Sequence, residues 1–232
     1  MTYEVTPIGT FHCQERYRFD TPRQGAFAHN SGVIILNEDH DYASCASDLN
    51  GFDRIWVIFL FHLNQTWNAK VTPPIAPPGR KIGVFATRSP HRPNRIGLSC
   101  VELDKVEQNK IFIKNFDLLD LTPIIDIKPY IPQADAFPNS NTGWLKEATN
   151  DSYTVNFTPN SLIEFEQIKQ EKNWDLVKFC NIQLSVRPLD VNRKKLQVRG
   201  EKTWTIEYRK MPIEFDIDHI AHSILIKGIY KG

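Results

Sequence analysis

Between Thr87 and Gly97 the chain carries Arg88, His91, Arg92 and Arg95 with no acidic residue among them, and Pro90 and Pro93 are interleaved. Each proline fixes its own φ and pushes the residue before it away from helix, so the basic side chains stand on a stiffened backbone. Like charges held this close repel one another, which makes an anion, a carboxylate or a phosphate, their natural partner. A solvated surface loop has the same composition, so charge alone leaves a ligand site and a plain basic loop both open.

The elements around this loop must position it. Ile82, Val84 and Phe85 lead in and Leu98, Val101 and Leu103 lead out, apolar and mostly β-branched or aromatic, as strands require. Further strands are expected over residues 3–11, 33–36 and 111–116. The continuous apolar run 55–61 reads as a central strand buried on both faces and ending at His62. Two more stretches bring polar groups to loops or strand ends. DTPRQG (residues 20–25) is a turn with Arg23 and Gln24 as donors, and DIKPY (residues 126–130) holds an acid, a base and a phenol together.

Composition limits the choices. With 232 residues and 41% apolar content the chain can bury a full core. Its longest apolar run is far short of the roughly 20 residues that cross a bilayer, so no membrane partner is expected. The N-terminus MTYEVTPIGTF has neither a basic nor an apolar export region, and Cys13, Cys45, Cys100 and Cys180 form no CxxC pair, which suits reduced thiols in the cytoplasm. No GxGxxG or P-loop marks a Rossmann enzyme, and no GxSxG elbow anchors a hydrolase. His219 and His222 share an HxxH spacing without a carboxylate set, so no metal is expected.

Residues 132–160 are rich in Pro and Asn and poor in long apolar groups, which divides the chain into residues 1–135, a linker 136–160 and a second domain 161–232. In the latter, residues 161–179 read as one amphipathic helix capped by Asn160 or Ser161, followed by strands over 182–186, 202–208 and 223–229, a small α+β unit. The net charge is only +1, yet residues 187–210 carry eight basic against three acidic side chains. Arg193, Lys194 and Lys195 are consecutive there, so at least two are expected to face water, as a patch that holds nucleic-acid phosphates would.

FATRSPHRPNRIGLSCVEL, taken with DTPRQG, LNGFDRIWVIFLFH and DIKPYIP in the same order, resembles the TrmO family, also called TsaA-like, over most of residues 3–132. From about residue 150 the tail resembles, more loosely, the extra domain of bacterial members. The resemblance implies a mainly β protein, with a single-sheeted β-barrel N-terminal domain and a small α+β C-terminal domain, working as a homodimer. It further implies an S-adenosylmethionine-dependent methyltransferase that methylates N6 of a threonylcarbamoylated adenosine next to the tRNA anticodon. The family's cofactor contacts fall on Pro22, Arg23 and Gln24, on His62 and Leu63, on Arg88 and Leu98, and on Ile127, Lys128, Pro129 and Tyr130. The chain departs from the family pattern twice, with Arg95 where relatives have Pro and Leu121 where relatives have Gly; Leu accepts positive φ poorly.

The chemistry of such a reaction assigns further roles. An acylated N6 has a delocalised lone pair and is a poor nucleophile until its proton is accepted, for which Asp126 and then Tyr130 are the candidates. The modified base's carboxylate suits Arg92 or Arg95, and the tRNA backbone suits Arg193, Lys194 and Lys195. Two other readings compete: a non-catalytic RNA-binding β-module, which would not bind the cofactor, and an enzyme on a small anionic substrate, which would not need tRNA.

Overall fold

The computed structural model describes residues 2–16, 30–148, 152–191 and 194–231. It divides into two compact units: residues up to Gly143 apart from 74–77, and the remainder together with residues 74–77. Among the described residues no helix is long and apolar enough to cross a membrane.

The first unit is a closed barrel, as the mainly β expectation required. Its strands are β1 (Gly9–His12), β2 (Ser31–Leu36), β3 (Arg54–Leu60), β6 (Ile96–Glu107), β7 (Lys110–Lys114) and β8 (Thr122–Pro129), hydrogen-bonded in the order β1-β2-β7-β6-β3-β8. The two-residue strands β4 (Lys70–Val71) and β5 (Ile82–Gly83) pair outside it, and the short helices α1 (Tyr42–Ala46) and α2 (Pro132–Asp135) decorate it. Residues 2–7 have no regular structure, so the strand expected over 3–11 is only β1.

Period-2 burial shows why the barrel closes. In β3, Ile55, Val57 and Phe59 are buried while Arg54, Trp56, Ile58 and Leu60 are half-buried. The run is therefore not a strand buried equally on both faces. A small barrel has one packed interior, and the outward residues of β3 are covered only in part. The interior is filled by Phe11, Ile34, Val101, Ile111, Ile113 and Ile124, and by Phe116 and Leu118 from the segment after β7. Phe11 and Phe116 meet edge-on at 4.6 Å.

One part of the wall is incomplete. Pairing of β6 with β7 begins at Glu102 opposite Lys114, whereas residues 96–101 of β6 pair with β3 alone among the described residues. The barrel thus has a seam beside the start of β6.

The second unit holds a five-stranded sheet of β9 (Thr154–Phe157), β10 (Leu196–Val198), β11 (Thr203–Tyr208), β12 (Met211–Asp218) and β13 (Ser223–Ile229), in the order β10-β11-β12-β13-β9. β9 runs parallel to β13, and α3 (Pro159–Lys172) and α4 (Leu176–Leu184) pack with this sheet in one apolar core. β9 lies in the stretch expected to be linker: Val155 and Phe157 pack on that core, a signal outweighed in the sequence by the surrounding Pro and Asn. The single helix expected over 161–179 is two, because Asn173 takes a left-handed φ of 55° and closes α3. Thr158 caps α3 by accepting from Ser161 N, two or three residues earlier than expected, with Pro159 in its first turn. The strand expected over 182–186 is largely the end of α4, whose buried stripe is Leu176, Phe179, Cys180, Gln183 and Leu184.

Lys194 is not a surface residue. It is 6% exposed, and its ammonium donates to the carbonyls of Gln183, Val186 and Arg187 at the end of α4 and just past it. A helix C-terminus offers unpaired carbonyls, and a cation there satisfies them. This corrects its expected place in a phosphate-binding patch. Lys194→Met should cost about 3 kcal/mol in chemical denaturation, since buried carbonyls would lose their donor; a variant as stable as the parent would show that those carbonyls find other partners.

At the turn before β8, Leu121 takes a φ of 63° while its side chain is 58% exposed. The turn is cross-tied to β1 and the residues after it: Asp120 N donates to Glu15 O, Leu121 N to Phe11 O, and Cys13 N to the Asp120 carboxylate at 3.1 Å. Leucine thus bears the backbone strain with little burial to offset it. Leu121→Gly should raise stability by about 1 kcal/mol, read as a higher denaturation midpoint at unchanged m-value.

Candidate active site

The seam opens into a cleft of about 500 Å³. Trp56, Phe59 and Phe61 form one wall, from β3 and the residue after it, and Ile96, Gly97, Leu98 and Ser99 at the start of β6 form another. The basic loop supplies Thr87, Arg88, Arg92, Pro93 and Asn94, with Phe85 at its entry and Asp117 opposite. Phe59 and Gly97 are matched: a Cβ on Gly97 would lie 2.3 Å from the Phe59 ring, so only glycine lets that ring lie against β6.

The basic loop holds its own shape. Thr87 Oγ1 donates to Val84 O at 2.8 Å and accepts from Ser89 N, and Ser89 Oγ in turn accepts from His91 N. Arg92 Nη1 donates to Thr87 O at 2.8 Å and to Val84 O at 3.3 Å, and Arg95 Nη1 donates to Asn64 O at 3.2 Å. Arg92 and Arg95 therefore each commit one guanidinium nitrogen to backbone and keep other donors for a ligand. Arg88 differs: it is exposed on the cleft and makes no hydrogen bond or ion pair with any other described residue.

Asp117 is held by its neighbours. The Asn30 amide donates to Phe116 O at 3.2 Å and accepts from Phe116 N at 3.0 Å, a side-chain copy of a strand pair. Phe116 and Leu118 on either side are buried in the barrel core. Between them, Asp117 Oδ1 accepts from Ser99 Oγ at 2.5 Å. The residue is half-buried, and desolvation beside the core pushes its pKa up. The Ser99 hydrogen bond and the Arg88 charge pull the other way without cancelling it.

The sequence-predicted residues distribute unevenly around this cleft. Arg88, Leu98 and Arg92 line it; Arg95 stands behind, tied to Asn64. His62 and Leu63 lie in the turn after β3, outside the lining. Ile127, Lys128 and Pro129 pair with Val57, Trp56 and Ile55, and the Tyr130 ring meets Trp56 at 5.8 Å, so β8 reaches the cleft only through that tryptophan. Asp126 is ion-paired with Lys128 at 3.1 Å, and neither Asp126 nor Tyr130 is among the described residues that line the cleft. Pro22, Arg23, Gln24 and Arg193 lie outside the described residues.

In the second unit Lys195 is exposed and paired with Glu207 at 2.6 Å. Other bases of the 187–210 segment are engaged internally: Arg187 donates to Ala76 O, Arg199 lies over the Tyr230 ring, and Arg209 lies over Trp174 and Tyr208. Sequence reasoning missed the cleft's aromatic walls and its Ser99–Asp117 pair. The available signals were a hydroxyl at Ser99 on the inward face of β6 between Gly97 and Val101, and an acid set between the apolar Phe116 and Leu118.

Comparison with known proteins gives this geometry a context. The sequence model of the tRNA-methyltransferase O N-terminal domain matches residues 10–136. The tRNA (adenine(37)-N6)-methyltransferase of Escherichia coli (strain K12) is 32% identical over 210 residues, which cover 87% of this chain and 86% of that protein. A putative S-adenosylmethionine-dependent methyltransferase, RcsF, of Pseudomonas aeruginosa is 38% identical over 165 residues, covering 70% of this chain and 68% of that one. A crystal structure of TrmO superposes with a TM-score of 0.71 at 26% identity, covering 99% of both chains.

The raised pKa of Asp117 has a consequence for stability. The native carboxyl keeps its proton to a higher pH than the unfolded one, so the native state binds more protons in that window and stability falls as pH rises through it. Above the window the ionised carboxylate is a net cost, which an amide lacks while still accepting from Ser99. Asp117→Asn should therefore melt higher than the parent at pH 7, with the difference closing as pH falls below the ordinary Asp value of about 4, where the native and then the unfolded carboxyl are protonated. Equal melting curves across that range would show that burial does not perturb this group.

Proposed function

We propose, because this chain belongs to the tRNA-methyltransferase O family, that it is an S-adenosylmethionine-dependent tRNA methyltransferase acting on N6 of adenosine-37, and that the adenosine it accepts carries a threonylcarbamoyl group. The observation that carries this reading is the Arg88 guanidinium, without a hydrogen-bonding partner among the described residues, on an apolar-walled cleft of about 500 Å³. The residues present fit the cofactor. Phe59, Phe61, Ile96 and Leu98 offer flat apolar surface for a purine, and Arg88 offers a fork of donors for a carboxylate. Pro22, Arg23, Gln24, His62, Leu63 and the segment Ile127, Lys128, Pro129 and Tyr130 complete the proposed cofactor contacts, and the working unit is proposed to be a cytoplasmic homodimer.

When bound, the cofactor supplies a methyl group on an electrophilic sulfonium. The chain's part is positioning: holding both reactants in line can lower such a barrier by about 7–11 kcal/mol. The self-pinned loop of residues 87–95 suits that task, since Arg92 and Arg95 are tied to backbone before a ligand arrives. The remaining donors of Arg92 and Arg95 suit the carboxylate of the threonylcarbamoyl group. Arg193 and Lys195 are proposed phosphate contacts for the tRNA body.

Incubation with the cofactor and tRNA should add one methyl group to threonylcarbamoyladenosine, seen by mass spectrometry of the nucleosides, while tRNA lacking the threonylcarbamoyl group stays unmethylated. Equal methylation of both would leave only the adenosine-37 reading, and methylation of neither would remove it. Arg88→Ala should weaken cofactor binding in calorimetry by about 1.5–3 kcal/mol, the worth of a charge-assisted hydrogen bond. Parental affinity in the folded variant would take Arg88 out of the cofactor site.

A further inference from the structure

Among the described residues Asp117 is the sole carboxylate on the cleft wall, where the other charged groups are Arg88 and Arg92. It is half-buried on the cleft lining, Asn30 and the buried Phe116 and Leu118 fix its backbone, and Ser99 hydrogen-bonds its carboxyl. A carboxylate held this firmly beside apolar walls is costly unless it has a task, because burial disfavours its charge. Neither a buried ion pair nor a helix terminus accounts for it: among the described residues Ser99 is the one side chain that hydrogen-bonds it, and Arg88 is exposed.

We propose that Asp117 is the group that accepts the N6–H proton of the acceptor adenosine during methyl transfer, with Ser99 as the positioning residue that orients its carboxylate. This rests on the methyltransferase reading above. In the step, the N6 electron pair forms the new bond to the methyl carbon as the carbon–sulfur bond breaks and leaves a neutral thioether. The N6 proton passes to Asp117, which returns it to water on product release. Charge balances, since a sulfonium and a carboxylate are replaced by a thioether and a carboxylic acid. An acceptor of raised basicity suits this better than an ordinary surface carboxylate, because a weak base takes little of the proton in the transition state. Asp126 lacks that setting: Lys128 neutralises it away from the cleft.

The test compares the parent with Asp117→Asn and Ser99→Ala, measuring kcat and KM for tRNA as a function of pH and cofactor affinity by calorimetry. Asp117→Asn should lower kcat by about 100-fold or more, with cofactor affinity and the KM for tRNA unchanged. The parent's kcat should rise with pH along a limb set by Asp117, and that limb should be absent from the variant's residual rate. Ser99→Ala removes a hydrogen bond that favours the ionised form, so it should move the limb to higher pH while leaving a plateau well above that of Asp117→Asn.

Undiminished kcat in Asp117→Asn, or a limb unmoved in Ser99→Ala, overturns the proposal. So does a loss explained by weaker cofactor binding, which would make Asp117 a ligand for the cofactor's ammonium or ribose instead. If Asp117→Asn does not fold, the Ser99→Ala shift decides alone. A parent enzyme that binds the cofactor but methylates no tRNA defeats the functional reading itself, an outcome distinct from an active parent with an equally active Asp117→Asn.

Discussion

The barrel's incomplete wall depends on one side chain. By offering Phe116 both a donor and an acceptor, the Asn30 amide stands in for the next residue pair of the β2–β7 ladder. The backbone after β7 is therefore satisfied without a further strand partner, and it need not continue along β6. Phe116 and Leu118 can then drop into the core, Asp117 is left hydrogen-bonded to Ser99 of β6, and residues 96–101 keep an edge that no described strand covers. A strand that continued past Lys114 in register with β6 would fill the seam. An apolar residue at position 30 would leave Phe116 N and O unpaired in a buried place, so the polarity of Asn30 and the existence of the cleft are one fact.

The cleft then sets two opposed electrostatic conditions on the same chain. A ligand seated between its apolar walls would displace water, which strengthens any hydrogen bond that Arg88 makes to it, while desolvation already raises the energy of an ionised Asp117. The arginines that could neutralise Asp117 are kept from doing so. Arg92 is bound to the carbonyls of its own loop, and Arg88 projects into open space, where its charge is felt but not paired. The result is a donor and a basic acceptor separated within one cavity, an arrangement that a direct Arg88–Asp117 ion pair would destroy. Stability is spent to keep the two apart, as is common where chemistry is done.

How much of this is legible in the sequence follows the range of the interactions. Strand alternation and proline placement are local, and they give β2, β7, β11, β13 and the stiff basic loop. The seam is not local: Asn30 and Phe116 are 86 residues apart, as are no two groups that any window could compare. Composition misled where a few long-range contacts override it. Val155 and Phe157 make a strand of a Pro- and Asn-rich stretch, and the apolar stripe through Leu184 belongs to a helix although Ile182, Leu184 and Val186 alternate as a strand would. Three consecutive basic residues suggested a solvated patch, but a lysine's long apolar stem lets its ammonium reach buried carbonyls, and Lys194 does so. The family resemblance named Arg88 and Leu98, which no periodicity could distinguish from their neighbours.

The two departures from the family pattern have opposite structural meanings. At position 121 the pattern's Gly permits a left-handed turn, and the chain keeps that turn with Leu121 at a φ of 63°, held by the bonds of Asp120 and Leu121 to Glu15 and Phe11. There the shape survives the loss of the residue suited to it, because the turn ends the segment that carries Asp117 and is fastened from outside. At position 95 the pattern's Pro is locked near a φ of −65°, and Arg95 takes 54°, a conformation proline cannot reach. That turn is reshaped: Arg95 N donates to Arg92 O, Arg95 O accepts from Phe61 N, and Arg95 Nη1 reaches Asn64 O. The Arg95 N–H and Nη1 bonds are the ones a proline could not make, and the second runs from the basic loop to the turn after β3. This chain thus holds its arginine loop in part by hydrogen bonds where a proline would hold it by covalent geometry.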